Sequence, residues 1–158
     1  YGLAVVPGEV ANAVSVACGY QNTLVLNADG TVTGWGYNNN GQCNVPADLT
    51  DAVAIAAGYA HSLALREDGT VAAWGYNAQG QCNVPEGLTA AVAIAAGRYH
   101  CLALKADGTV TAWGNNEDWQ CNVPEDLADV VAVSAGYYHS LALKVDGTVV
   151  AWGDRHNN

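Results

Sequence analysis

Residues 57–81 read AGYAHSLALREDGTVAAWGYNAQGQ, and this stretch decides the fold. Two short runs, SLALR at 62–66 and TVAAW at 70–74, flank Asp68-Gly69, and a third, AVAIAA at 52–57, ends at Gly58. Each run is too short for a helix and is bounded by glycine. The three therefore read as β-strands, with Asp-Gly forming a tight hairpin whose turn needs positive φ. A fourth extended piece is expected at 82–85 (CNVP), after the polar loop 76–80, its proline suiting an edge or terminal strand.

Working outward, the same text recurs every 39 residues. Trp35, Trp74, Trp113 and Trp152 are each followed by glycine; Gly19, Gly58, Gly97 and Gly136 keep the interval, as do the acids of the Asp-Gly pairs, Asp29, Asp68, Asp107 and Asp146. Cys43, Cys82 and Cys121 stand in copies of Gln-Cys-Asn-Val-Pro. The units are 13–51, 52–90, 91–129, and 130–158 completed by 1–12, in one repeat domain spanning 1–158. Three to four antiparallel strands per unit of about 40 residues is the pattern of a β-propeller blade, so the fold class is all-β. Small residues (Ala54, Ala56, Ala64, Ala72, Ala73) let neighbouring sheets approach, and Leu63, Leu65, Val71 and Trp74 fill the wider layers.

The elements Gly-x-x-His, Asp-Gly and Trp-Gly-x-Asn occur together in residues 57–81 and recur along the whole chain, which resembles the repeat of the regulator of chromosome condensation family. The resemblance implies a β-propeller, seven-bladed in the founding member, and roles that include nucleotide exchange on a small GTPase and chromatin docking. Two departures argue against those activities here: no unit carries an inserted loop, and the net charge is -10 where chromatin docking needs basic extensions. Four units leave three architectures open: a small closed ring, a fragment of a larger one, or an open arc completed by other subunits. Residues 1–12 align with 79–90, so this segment is expected to complete the last blade, in cis or in a neighbouring subunit. Tyr1, Leu3, Val5 and Val6 are accordingly candidate interface residues, together with Trp119.

Composition narrows the partners. Five Lys+Arg against 15 Asp+Glu give a net charge of -10, which repels phosphate backbones and anionic headgroups, so neither nucleic acid nor membrane insertion is expected. No apolar run approaches the roughly 20 residues of a membrane-spanning helix. The absence of Met and a leading signal suggests a processed or excised chain, and acidity with scarce lysine leans towards an extracellular location.

No catalytic, metal or cofactor site stands out of the repeat. His61, His100 and His139 occupy one equivalent position in successive units, whose sheets stack about 10 Å apart, whereas zinc ligands lie within about 2.1 Å of the ion. They read as structural histidines bonding backbone or a neighbouring blade, and His156 as part of a solvated tail. The five cysteines contain no Cys-x-x-Cys pair; Cys18 and Cys101 replace small residues and read as buried fillers, a cross-blade or intersubunit disulfide being the alternative. Tyr37, Tyr76, Asn38, Asn77 and Trp119 are candidate ligand contacts on an aromatic, Asn-rich rim. The functional expectation is a non-enzymatic, self-assembling scaffold forming homo-oligomers or filaments, or a protein-interaction scaffold. The alternative is a closed propeller that binds a protein or glycan.

Overall fold

The computed structural model describes residues 5–8 and 10–154. Its twelve strands form four three-stranded antiparallel sheets. Blade 1 contains β1 (Ala13–Cys18), β2 (Asn22–Asn27) and β3 (Val32–Gly36); blade 2 contains β4 (Ala52–Ala57), β5 (His61–Arg66) and β6 (Val71–Gly75). Blade 3 contains β7 (Ala91–Ala96), β8 (His100–Lys105) and β9 (Val110–Gly114), and blade 4 contains β10 (Val130–Ala135), β11 (His139–Lys144) and β12 (Val149–Gly153). Each sheet is a simple meander with its strands in chain order. No helix long and apolar enough to cross a membrane occurs among the described residues.

The hairpin turns differ from the expected two-residue form. In blade 1, Gly30 N–H donates to Asn27 O and Asn27 N–H to Thr31 O, leaving a three-residue loop. Only the glycine of Asp29-Gly30 takes positive φ, at 82°. This is a turn followed by a left-handed residue, and the acid serves it by accepting from both Thr31 N–H and Thr31 Oγ1–H. Those two bonds, repeated at Asp68, Asp107 and Asp146, hold the four carboxyls below their ordinary range.

Residues 82–85 and their equivalents are not strands. Their backbone donors are spent locally: Cys43 N–H on Asn38 Oδ1, Asn44 N–H on Gly41 O and Val45 N–H on Cys43 O. The following proline has no donor to offer a ladder. Residues 5–8 likewise form no strand, and Val5 and Val6 are exposed at 71% and 61%. Among the described residues, nothing adds a fourth strand to blade 4.

The core lies between blades rather than within them. Leu24 and Leu26 of blade 1 pack with Ala64 and Trp74 of blade 2; Leu63 and Leu65 pack with Ala103 and Trp113 of blade 3; Leu102 and Leu104 pack with Ala142 and Trp152 of blade 4. Val45, Val84 and Val123, in the connecting segments, are wedged into the same three layers. In each of these layers, therefore, the earlier blade contributes leucines and the later one alanine and tryptophan. No such layer joins blade 4 to blade 1 among the described residues, so the chain is an open arc. The first strand of every blade bulges at Val14, Val53, Val92 or Val131, which turns each of these valines outward. Replacing Leu102 by alanine is expected to cost about 2–5 kcal/mol, whereas Val92→Ala should stay within about 0.5 kcal/mol; denaturant titration of the two variants checks the contrast.

Candidate functional site

Each inter-blade layer is fastened by a buried polar lock. Gln42, Gln81 and Gln120 are almost wholly buried, and each backbone carbonyl accepts two bonds from the next blade. Gln42 O accepts from Ser62 Oγ at 2.8 Å and Trp74 Nε1 at 2.9 Å. Gln81 O accepts from Cys101 Sγ at 3.3 Å and Trp113 Nε1 at 3.0 Å. Gln120 O accepts from Ser140 Oγ at 2.8 Å and Trp152 Nε1 at 2.9 Å.

The histidines complete this lock. Ser140 spends its proton on Gln120 O, so His100 Nε2, 3.0 Å away, must donate to the hydroxyl oxygen. His61 Nε2 stands at 3.2 Å from Cys101 Sγ in the same way, and in blade 1 the amide of Asn22 donates to Ser62 Oγ. Each ring lies over the glycine three residues earlier; a Cβ at Gly58 or Gly97 would collide with the imidazole and with the carbonyl of the next blade's glycine. The Gly-x-x-His element is thus a packing unit. Burial, reinforced by the neighbouring histidine, lowers His61 and His100 from their ordinary value to about 4. The fourth member of the series, His139, is exposed on the open end of blade 4.

Where the four sheets converge, one end of the arc forms a mouth of about 230 Å³ lined by Tyr20, Tyr59, Arg98 and Tyr137, one residue from the same position of each blade. Arg98 is the exception in a tyrosine series. Its guanidinium lies 4.2 Å from the Tyr137 ring centroid, 4.7 Å from Tyr99, 5.4 Å from Tyr59 and 5.6 Å from Tyr138, and Nη1 donates to the Tyr138 hydroxyl at 2.7 Å. Arg66 is paired with Asp48 and Asp51, and Lys105 with Asp107, while Arg98 pairs with no carboxylate among the described residues. Beside it, between blades 3 and 4, a cleft of about 390 Å³ is lined by Asn115, Glu117 and Asp118 as well as Arg98.

The family model for the regulator of chromosome condensation (RCC1) repeat matches residues 13–42, 52–81, 91–120 and 130–158. The chain belongs to the RCC1 repeat family. Solved structures agree in fold. Yeast RCC1 (Prp20), crystallised with Kap60, superposes with a TM-score of 0.80 at 24% identity over 94% of this chain and 45% of its own. Human WBSCR16 gives 0.75 at 25% identity over 89% and 47%. Prp20p from Saccharomyces cerevisiae, whose structure is described with its binding properties to Gsp1p and histones, gives 0.74 at 25% over 93% and 45%. The chain thus spans less than half the length of these RCC1-like propellers. Comparison with curated proteins gives no match.

Within the RCC1 arc, the residues singled out from sequence fall in separate places. Trp119 borders a cavity of about 510 Å³ on the end face of blade 4, with His139, Trp152 and Asp154. Tyr76 joins the tyrosine cluster through Tyr99, at 5.6 Å between centroids, and Tyr37 is half-buried. The amides of Asn38 and Asn77 close their own loops onto Asn44 and Asn83. Val5 and Val6 precede blade 1; Tyr1, Leu3 and His156 lie outside the described residues. All five cysteines are free thiols: Cys101 is buried as expected, but Cys18 is exposed because no blade covers that face of β1. Sequence reasoning missed the glutamines, marked only by their identity in three units, and Arg98, marked by its departure from tyrosine.

The unfolded chain binds protons on His61 and His100 below about pH 6.5, whereas the folded chain accepts them only near 4. Stability is therefore full above about pH 6.5 and falls as the pH drops towards 4, by on the order of 3 kcal/mol for each histidine. Denaturant midpoints measured across that range should show the decline, and His61→Asn with His100→Asn, copying Asn22, should flatten it.

Proposed function

We propose that the chain is a non-catalytic interaction scaffold that assembles head to tail with further copies of itself, blade 4 of one copy seating on blade 1 of the next. The observation that carries this reading is the inter-blade packing, made at three successive layers, which leaves the forward face of blade 4 and the backward face of blade 1 uncovered by any blade among the described residues. On blade 4, His139 is exposed where His61 and His100 are buried, and Leu143 is 39% exposed where Leu65 and Leu104 are 3%. On blade 1, Thr23 holds the hydroxyl position of Ser62 and Ser140, and Val16, 69% exposed, stands where Ile55 and Ile94 pack into the layers.

A docked copy would give His139 the Thr23 hydroxyl and cover Leu143 and Val149 with the face of blade 1 that exposes Val16. Trp119 supports the same surface. It sits at φ 64°, where Gly41 and Gly80 take 78° and 79°, a conformation costing a side chain roughly 1–2 kcal/mol. A large aromatic kept there at the rim of an apolar face has the character of an interface anchor. Such an interface is heterologous, closing into a ring where the rotation allows and otherwise extending. Two copies together would match the length of the solved relatives, each of which is spanned to less than half by one chain. In this reading the acidic assembly works outside the cell, and neither exchange on a GTPase nor chromatin binding is assigned to it.

Light scattering coupled to size exclusion tests the reading. Particles at multiples of 16.3 kDa are expected, with association weakened at least tenfold, a change of about 1.4 kcal/mol, by Leu143→Glu and by Trp119→Gly. Trp119→Gly keeps the fold because glycine is the residue of the other units. A particle that stays at one chain mass at all concentrations, or oligomers indifferent to both substitutions, overturns the proposal.

A further inference from the structure

Departures from the repeat converge on one place. Arg98 replaces the tyrosine of Tyr20, Tyr59 and Tyr137; Asn115 replaces Tyr37 and Tyr76; Glu117 and Asp118 replace Asn39 and Asn40 in one unit and Ala78 and Gln79 in another. Core packing explains none of these changes, since the other blades pack with the common residues. All four altered side chains line the single 390 Å³ cleft between blades 3 and 4. That volume falls within the roughly 300–1,000 Å³ of small-ligand sites.

The cleft is built rather than incidental. Asn115 is locked by its neighbours: its Nδ2 donates to Gln79 Oε1 at 3.0 Å, and its Oδ1 accepts from Gln120 Nε2 at 2.6 Å. The Gln79 amide is thereby oriented on the rim. Asp118 is almost buried, its backbone N–H held by Gln120 Oε1. In the same cleft, Tyr138 is 40% exposed, with its hydroxyl fixed by Arg98. The Arg98 Nε–H is buried and has no partner.

We propose that this cleft binds a neutral, polyhydroxylated ligand, the terminal sugar of a glycan. A sugar hydroxyl both donates and accepts, which suits a lining that carries both donors (Arg98, Gln79) and carboxylates (Glu117, Asp118). The Tyr138 ring supplies an apolar face bearing a polar tip. Charge narrows the class: a net -10 opposes phosphates and other anions, while Arg98 offsets part of the charge of Glu117 and Asp118 in the cleft, and a neutral ligand meets no repulsion. This inference is distinct from the assembly reading, because every residue lining the cleft belongs to one chain.

Saturation-transfer NMR with the methyl glycosides of glucose, galactose, mannose and N-acetylglucosamine tests it. At least one glycoside should receive saturation from the protein. Arg98→Tyr and Glu117→Asn, which restore residues the other blades use and so preserve the fold, should each weaken that binding at least about tenfold, the scale expected when a site's hydrogen bonds to a hydroxyl are lost. Absence of transfer to all four glycosides, or binding that the two variants change by less, overturns the proposal.

Discussion

A single carbonyl oxygen at each of the three boundaries between blades holds this protein together. The glutamine that ends each loop is buried at the boundary of two blades, where its C=O must be satisfied by protein. It is met by a hydroxyl or thiol and by an indole N–H, both from the following blade. The glutamine side chain meanwhile accepts the loop's own N–H two residues earlier, fixing the carbonyl's direction. A histidine or asparagine of the same blade then bonds the next blade's hydroxyl or thiol, closing a buried network across every layer. Losing one partner would leave buried groups unpaired, which costs about 1–3 kcal/mol for each.

This arrangement makes the fold directional. In each of the three layers the earlier blade offers leucines, a glutamine carbonyl and an imidazole or, in blade 1, the Asn22 amide, and the later blade offers alanine, tryptophan and a hydroxyl or thiol. Cohesion is a sum of nearest-neighbour terms, as in other repeat proteins. The three layers saturate the middle of the arc and leave one face of blade 1 and one of blade 4 uncovered among the described residues.

How much of this was legible in the sequence depends on what each residue contributes. The strict interval of tryptophans, glycines and Asp-Gly pairs disclosed the blades, because strand period and turn chemistry are properties of side chains. The Asp-Gly loop was placed correctly but its geometry was not, since the threonine that accompanies it sets the longer turn. The CNVP piece reads as a strand from composition, yet its donors are consumed by Asn38 and by local carbonyls, a fact visible only in three dimensions. The glutamine lock acts through a main-chain atom and so left no chemical trace beyond its recurrence. Arg98 was the converse case: attention to the shared pattern hid the residue that broke it, although the break itself was the signal.

The lock is most directly tested by a double-mutant cycle on His100 and Ser140, which face each other across the layer between blades 3 and 4 at 3.0 Å. Stabilities of the wild type, His100→Ala, Ser140→Ala and the double variant give their coupling. The account predicts an interaction of about 0.5–3 kcal/mol, the range of residues sharing one buried network. Strictly additive losses would contradict it, leaving apolar packing alone as the force that joins the blades.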